Sequence, residues 1–178
     1  IPKGAKCAPN RAKSGKPLIR AERVSTWFND YSSHKVQTVK AVNNVTLDIF
    51  PGEILGLVGE SGSGKSTLGR SLLQLVPIKT GVIKFDDTDL GSLSARQLVP
   101  WRRRMQIIFQ DPFASLNPRM TVYETLAEPL LYHGIAENNN VERFVLELMD
   151  DVGLARQNVR KYPHEFSGGQ RQRIAIGR

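Results

Sequence analysis

A chain of 178 residues with 40% hydrophobic side chains is long enough to bury a core. Its single cysteine, Cys7, excludes an internal disulfide and a cysteine-cluster metal site. The net charge of +8 hints at nucleic acid, but six bases and no acid lie in residues 1–20, leaving 19 bases against 17 acids elsewhere. No nucleic-acid partner is therefore expected.

Residues 1–17, rich in Pro, Gly, Ala and Lys, read as a basic flexible linker. No apolar stretch approaches the roughly 18 residues that cross a bilayer, and none near Ile1 resembles a signal peptide, so a cytosolic location is expected. Residues 18–28 and 45–50 read as strands, and Pro51-Gly52 turns the chain into Ile54-Leu55-Gly56-Leu57-Val58. That unbroken apolar run is expected to be a strand buried on both faces of a parallel sheet.

The next stretch is Gly59-Glu60-Ser61-Gly62-Ser63-Gly64-Lys65-Ser66-Thr67. It fits the phosphate-binding loop, in which glycines let successive backbone N–H groups point at phosphate oxygens. Lys65 brings a positive charge to the outer phosphates, and the Ser66 hydroxyl is placed to ligate Mg²⁺. Leu68, Leu72 and Leu75 recur at helical spacing beyond the loop, so the helix dipole is directed at the same anion. A dinucleotide fold is disfavoured because Thr67 stands where its third glycine belongs. The pattern implies a bound nucleoside triphosphate.

Further along, Val82–Phe85 is a short strand with a turn at Asp86-Asp87, a helix begins near Ser94, and Met105–Phe109 reads as another strand. Thr121 and Glu124 have capping-box spacing and open a helix that Pro129 is expected to kink or end. Val141, Phe144, Val145, Leu148, Met149 and Val152 make an amphipathic helix closed by Gly153; that stripe is core packing. Ser167 and Gln170 repeat the capping spacing before a helix of apolar and basic residues. Gly168 and Gly169 expose further N–H groups to an anion there. The expected divisions are a linker at 1–17, a β subdomain and P-loop core at 18–110, a helical subdomain at 111–165, and a final helix start at 166–178.

Two phosphate-binding helix starts in one chain resemble the ATP-binding cassette (ABC) family. Gly59–Thr67 is similar to its Walker A loop, and Phe166-Ser167-Gly168-Gly169-Gln170 to its signature, usually Leu-Ser-Gly-Gly-Gln. Ile107-Ile108-Phe109-Gln110-Asp111-Pro112 is similar to its Q-loop. The resemblance covers about residues 18–178. It implies an α/β fold with a RecA-like P-loop core, an N-terminal antiparallel β subdomain and a helical insertion. It also implies a head-to-tail dimer with a second cassette, identical or different, and two ATP molecules between them. Ser167, Gly168, Gly169 and Gln170 then serve the partner's γ-phosphate, while Lys65 serves its own nucleotide. Gln110 reaches Mg²⁺ and the attacking water. The family stacks an aromatic on adenine; Phe28 is the expected residue, with Trp27 next.

Asp111–Thr121 and Tyr162–Gln170 are similar to the dipeptide and oligopeptide importer branch, which includes nickel and glutathione systems. That implies a peripheral ATPase on the cytoplasmic face of the plasma (inner) membrane. Its partners are two transmembrane permeases, one docking near residues 111–133, and indirectly an extracytoplasmic solute-binding protein. The alternative within the family is a soluble ATPase acting on ribosomes or DNA, which needs a longer insertion than residues 111–165 provide. His164 and Ser115–Arg119 are expected to be turn residues. Three departures stand out. Asp87 replaces a turn glycine, which Asp tolerates. Gly177 replaces a helical alanine, at an expected cost of about 1 kcal/mol. The sequence given also stops at Arg178, before the family's Walker B acid, D-loop and switch histidine, so no turnover is expected from these 178 residues alone. The basic linker fits the second half of a fused pair of cassettes.

Overall fold

The computed structural model describes residues 15–30, 37–111 and 115–178, which fall into two units divided between Met105 and Gln106. The linker expected at 1–17 lies almost wholly outside the described residues, as do Pro112–Ala114 of the importer-like segment.

The first unit is built on an antiparallel sheet of order β2-β1-β3-β4. Its strands are β1 (Ile19–Asp30), β2 (Gln37–Ile49), β3 (Thr80–Phe85) and β4 (Thr88–Asp89). Asp86 and Asp87 join β3 to β4 with φ of 51° and 65°, so both aspartates take the left-handed conformation that a two-residue hairpin needs. Helix α1 (Lys65–Leu72) follows the glycine-rich loop. Helix α2 (Ala95–Arg104) starts at Ser94, whose hydroxyl accepts from the Gln97 N–H while the Gln97 side chain accepts from the Ser94 N–H. Ala21, Val24, Ile83, Phe85, Leu90, Leu98 and Met105 form the core between these pieces.

The apolar runs 54–58 and 105–109 do not form strands, contrary to the sequence reading. Ile54 is 99% and Val58 94% exposed. A strand exists through the hydrogen bonds of a neighbour, and none of the described strands lies alongside either run. The hairpin strands β1 and β2, by contrast, run longer than expected, because bulges absorb mismatches in their pairing.

The second unit is helical: α3 (Val122–Tyr132), α4 (Val141–Asp151) and α5 (Gly168–Gly177). Val122, Leu126, Val145, Met149 and Ile174 are fully buried in its core, which takes the apolar stripe of α4 as expected. Gly153, at φ 67°, closes α4: its N–H bonds to the Asp150 carbonyl and that of Leu154 reaches back to Met149. Pro129 neither ends nor breaks α3, which runs on to Tyr132. Its last turn is held by buried Leu130 and by the His133 N–H bonded to the Pro129 carbonyl. Gly177 also reads differently in place: a Cβ there would lie 3.1 Å from Val152 Cγ1, so alanine would gain helix propensity only by crowding α4's end.

At the start of α3 the Thr121 N–H and hydroxyl donate to the Glu124 carboxylate at 2.7 and 2.9 Å, while the Glu124 N–H donates to Thr121 Oγ1 at 3.2 Å. These bonds hold the Glu124 carboxyl below its ordinary pKa. Thr121→Ala is expected to cost about 1 kcal/mol at neutral pH in urea unfolding. The wild-type advantage should shrink as acid protonates Glu124, since a depressed carboxylate stabilises only above its unfolded pKa.

Candidate functional site

The glycine-rich loop is shaped by the sheet. Gly64, the N-cap of α1, has φ 91°, and a Cβ on it would lie 2.0 Å from the Ala41 carbonyl oxygen of β2. Only glycine meets both demands: the left-handed backbone and the close approach. No side chain caps α1, so the positive end of its dipole opens onto the loop. Lys65 folds back over this opening. Its Nζ donates to the carbonyls of Gly59 at 2.7 Å and Glu60 at 2.5 Å, with Ser63 Oγ at 3.3 Å. The Ser63 N–H in turn bonds to the Glu60 carbonyl, which closes the loop on itself. Glu60, Ser61, Gly62 and Ser66 are exposed around the opening, and Thr67 is half-buried.

Behind the loop, α1 is fastened to the sheet by Leu68, which is buried, and by a hydroxyl pair, Thr26 on β1 and Ser71 on α1. Further along the hairpin Phe28 pairs with Val39 and Trp27 with Lys40. Paired residues share a face, so Phe28 and Val39, 43% and 49% exposed, make one apolar patch. Lys40 Nζ already lies over the Trp27 ring, 5.0 Å from its centroid, which leaves Phe28 as the open aromatic.

In the second unit Phe166 is buried and anchors the segment, whereas Ser167, Gly168 and Gly169 are exposed at the start of α5. The Ser167 N–H donates to Gln170 Oε1 at 2.9 Å and the Gln170 N–H to Ser167 Oγ at 3.4 Å, the reciprocal cap that the spacing predicts. Arg171 is spent on structure: Nε and a terminal nitrogen donate to the carbonyls of Pro163 and His164 at 2.6 and 3.2 Å. His164 stacks on Tyr162 with centroids 5.7 Å apart, in a turn as expected. Gln110 is exposed near the start of this unit. Gly59–Thr67 and Phe28 thus belong to the first unit, Gln110 and Ser167–Gln170 to the second. Sequence reasoning missed Thr26, Ala41 and Ser71; a threonine in a strand and a serine among helical leucines carry no signal that they meet.

A glycine-rich loop opening an uncapped helix, with a lysine over its mouth and a β hairpin behind it, defines a P-loop nucleotide-binding fold. The family model described as ABC transporter matches residues 42–178, and the chain belongs to that family. Over 167 residues it is 47% identical to the glutathione import ATP-binding protein GsiA of Salmonella paratyphi A, covering 92% of this chain and 27% of that protein. Over 164 residues it is 46% identical to the oligopeptide transport ATP-binding protein OppF of Streptococcus mutans, covering 92% of this chain and 52% of that protein. The chain therefore spans between a quarter and about half of the length of these relatives. Among solved structures it resembles the dimeric post-hydrolysis state of the ATP-binding cassette MJ0796 bound to ADP and Pi. That match has a TM-score of 0.75 and 27% identity, and covers 90% of this chain and 68% of that one. A second dimeric structure of the same cassette matches with a TM-score of 0.74 and 28% identity.

Gly64→Ala is expected to destabilise the loop and the first turn of α1 by more than about 1 kcal/mol. Hydrogen exchange of the Leu68 amide, bonded to the Gly64 carbonyl at 2.8 Å, should accelerate accordingly.

Proposed function

We propose that this chain is the ATP-binding part of an ABC importer, coupling ATP binding and hydrolysis to uptake of peptides or a related solute. The observation that carries the reading is the Lys65 ammonium held on the oxygens of Gly59, Glu60 and Ser63 at the uncapped start of α1. An anion arriving there meets a cation, a helix dipole and exposed loop N–H groups, and Lys65 exchanges loop carbonyls for phosphate oxygens. Lys65 then neutralises the β- and γ-phosphates. Ser66, exposed beside it, would hold Mg²⁺ through its hydroxyl, and the ion would supply positive charge to offset that of the phosphates. Phe28, on the open patch with Val39, stacks on adenine. Gln110, exposed near the start of the second unit, would orient the attacking water and help to hold the metal.

Ser167, Gly168, Gly169 and Gln170 present the N-terminus of α5 to the γ-phosphate held by a second cassette, itself bound head to tail. Their reciprocal cap supports this role, because it fixes the first turn while leaving Gly168 and Gly169 exposed. The dimeric solved cassettes support the pairing. The relatives named for glutathione import and oligopeptide transport support a peptide-class solute; the partners on this reading are two transmembrane permeases and, indirectly, an extracytoplasmic solute-binding protein. A peripheral place on the cytoplasmic face of the inner membrane follows from those partners. Among the described residues no helix is long and apolar enough to cross a membrane.

Ser167→Arg in the intact protein tests the division of labour. ATP binding should remain within about threefold of wild type, while hydrolysis and ATP-dependent pairing fall by at least about a hundredfold. Full hydrolysis in that variant would overturn the signature's role.

A further inference from the structure

Thr26 and Ser71 are fully buried, and their hydroxyl oxygens lie 2.8 Å apart. Ser71 Oγ donates to the Thr67 carbonyl at 2.8 Å, so its proton is committed and Thr26 is the donor to Ser71. A relay therefore runs from β1, through α1, to the last residue of the phosphate loop. Buried hydroxyls are retained in an apolar setting only when they are satisfied, and these satisfy one another.

The backbone beside the relay is adapted to it. Thr26 pairs with Val42 and Trp27 with Lys40, which leaves Ala41 as an extra residue on β2. The carbonyl of that bulged residue is the one that presses on Gly64. Gly64 and Ser71 are seven residues apart and so share a face of α1, about 10 Å apart along its axis. The hairpin thus grips α1 at both ends, by a carbonyl against Gly64 and a hydroxyl against Ser71. Two residues beyond Thr26 the same strand carries Phe28, paired with Val39 on the open patch. One pair of strands therefore connects the surface offered to the base with the helix that holds the phosphates.

We propose that Thr26, acting through Ser71, is a positioning residue that sets the spacing between the adenine and phosphate subsites. This rests on the nucleotide reading given above. Hydrophobic packing alone fixes neither the rotation nor the advance of a short helix on a sheet, whereas a hydrogen bond between two defined atoms does.

Calorimetry on the intact protein with two ligands, ATP and inorganic tripolyphosphate, tests the assignment. Thr26→Val keeps the shape of the side chain and removes its donor. It should weaken ATP binding by about tenfold while leaving tripolyphosphate within about twofold. Thr26→Ser, which restores a hydroxyl, should return ATP binding to within about twofold of wild type. Ser71→Ala should reproduce the loss for ATP alone, and it decides the matter if Thr26→Val fails to fold. Equal losses for both ligands would mean that the pair only holds the loop together, and unchanged ATP binding would mean that it holds nothing relevant. Either result overturns the proposal. A wild-type protein that binds neither ligand overturns the nucleotide reading itself, and the proposal with it.

Discussion

The close approach of the Ala41 carbonyl to Gly64 is the constraint on which the site depends. It requires glycine at the N-cap, and a glycine cap provides no side-chain acceptor for the first turn of α1. The helix is therefore left open toward the loop, with its positive end unneutralised. Lys65 adds a second positive charge at the same place, and the loop tolerates it only by lending its own carbonyls. A lysine and an uncapped helix start at one place concentrate positive potential there, which suits a polyanion.

The second helix start, at α5, is built differently. At α5 Ser167 and Gln170 cap one another, and the adjacent Arg171 is engaged with the carbonyls of Pro163 and His164. What remains to offer is the backbone of two exposed glycines and a dipole. Such a surface suits the role proposed for it, toward a γ-phosphate whose charge another cassette already partly neutralises. On the proposed function the two starts divide the work: Lys65 lies over the mouth of the first loop, whereas Arg171 is turned to the Pro163 and His164 carbonyls and the exposed glycines offer backbone alone.

Much of this was legible in the sequence because it is local. The caps at Thr121 with Glu124 and Ser167 with Gln170, the stop at Gly153 and the helix start after Gly64 each depend on residues within a few positions of one another, and each forms as read. The misreadings are failures of non-local information. Ile54–Val58 has the composition of a buried strand, yet composition cannot supply the neighbour whose hydrogen bonds make a strand. Pro129 has the helix-breaking chemistry expected of it, but burial of Leu130 keeps the last turn in place. The meeting of Thr26 with Ser71, 45 residues away, depends on bulges in a hairpin that no periodicity encodes.

On the proposed function the loop oxygens that hold Lys65 stand in for the phosphate chain of ATP. The most direct test of this is the affinity of the intact protein for ATP compared with that of Lys65→Ala. Wild type is expected to bind ATP and the variant to lose at least about a hundredfold in affinity, since a charge contact to phosphate is removed. Binding of ATP by Lys65→Ala as tightly as by wild type would contradict that reading.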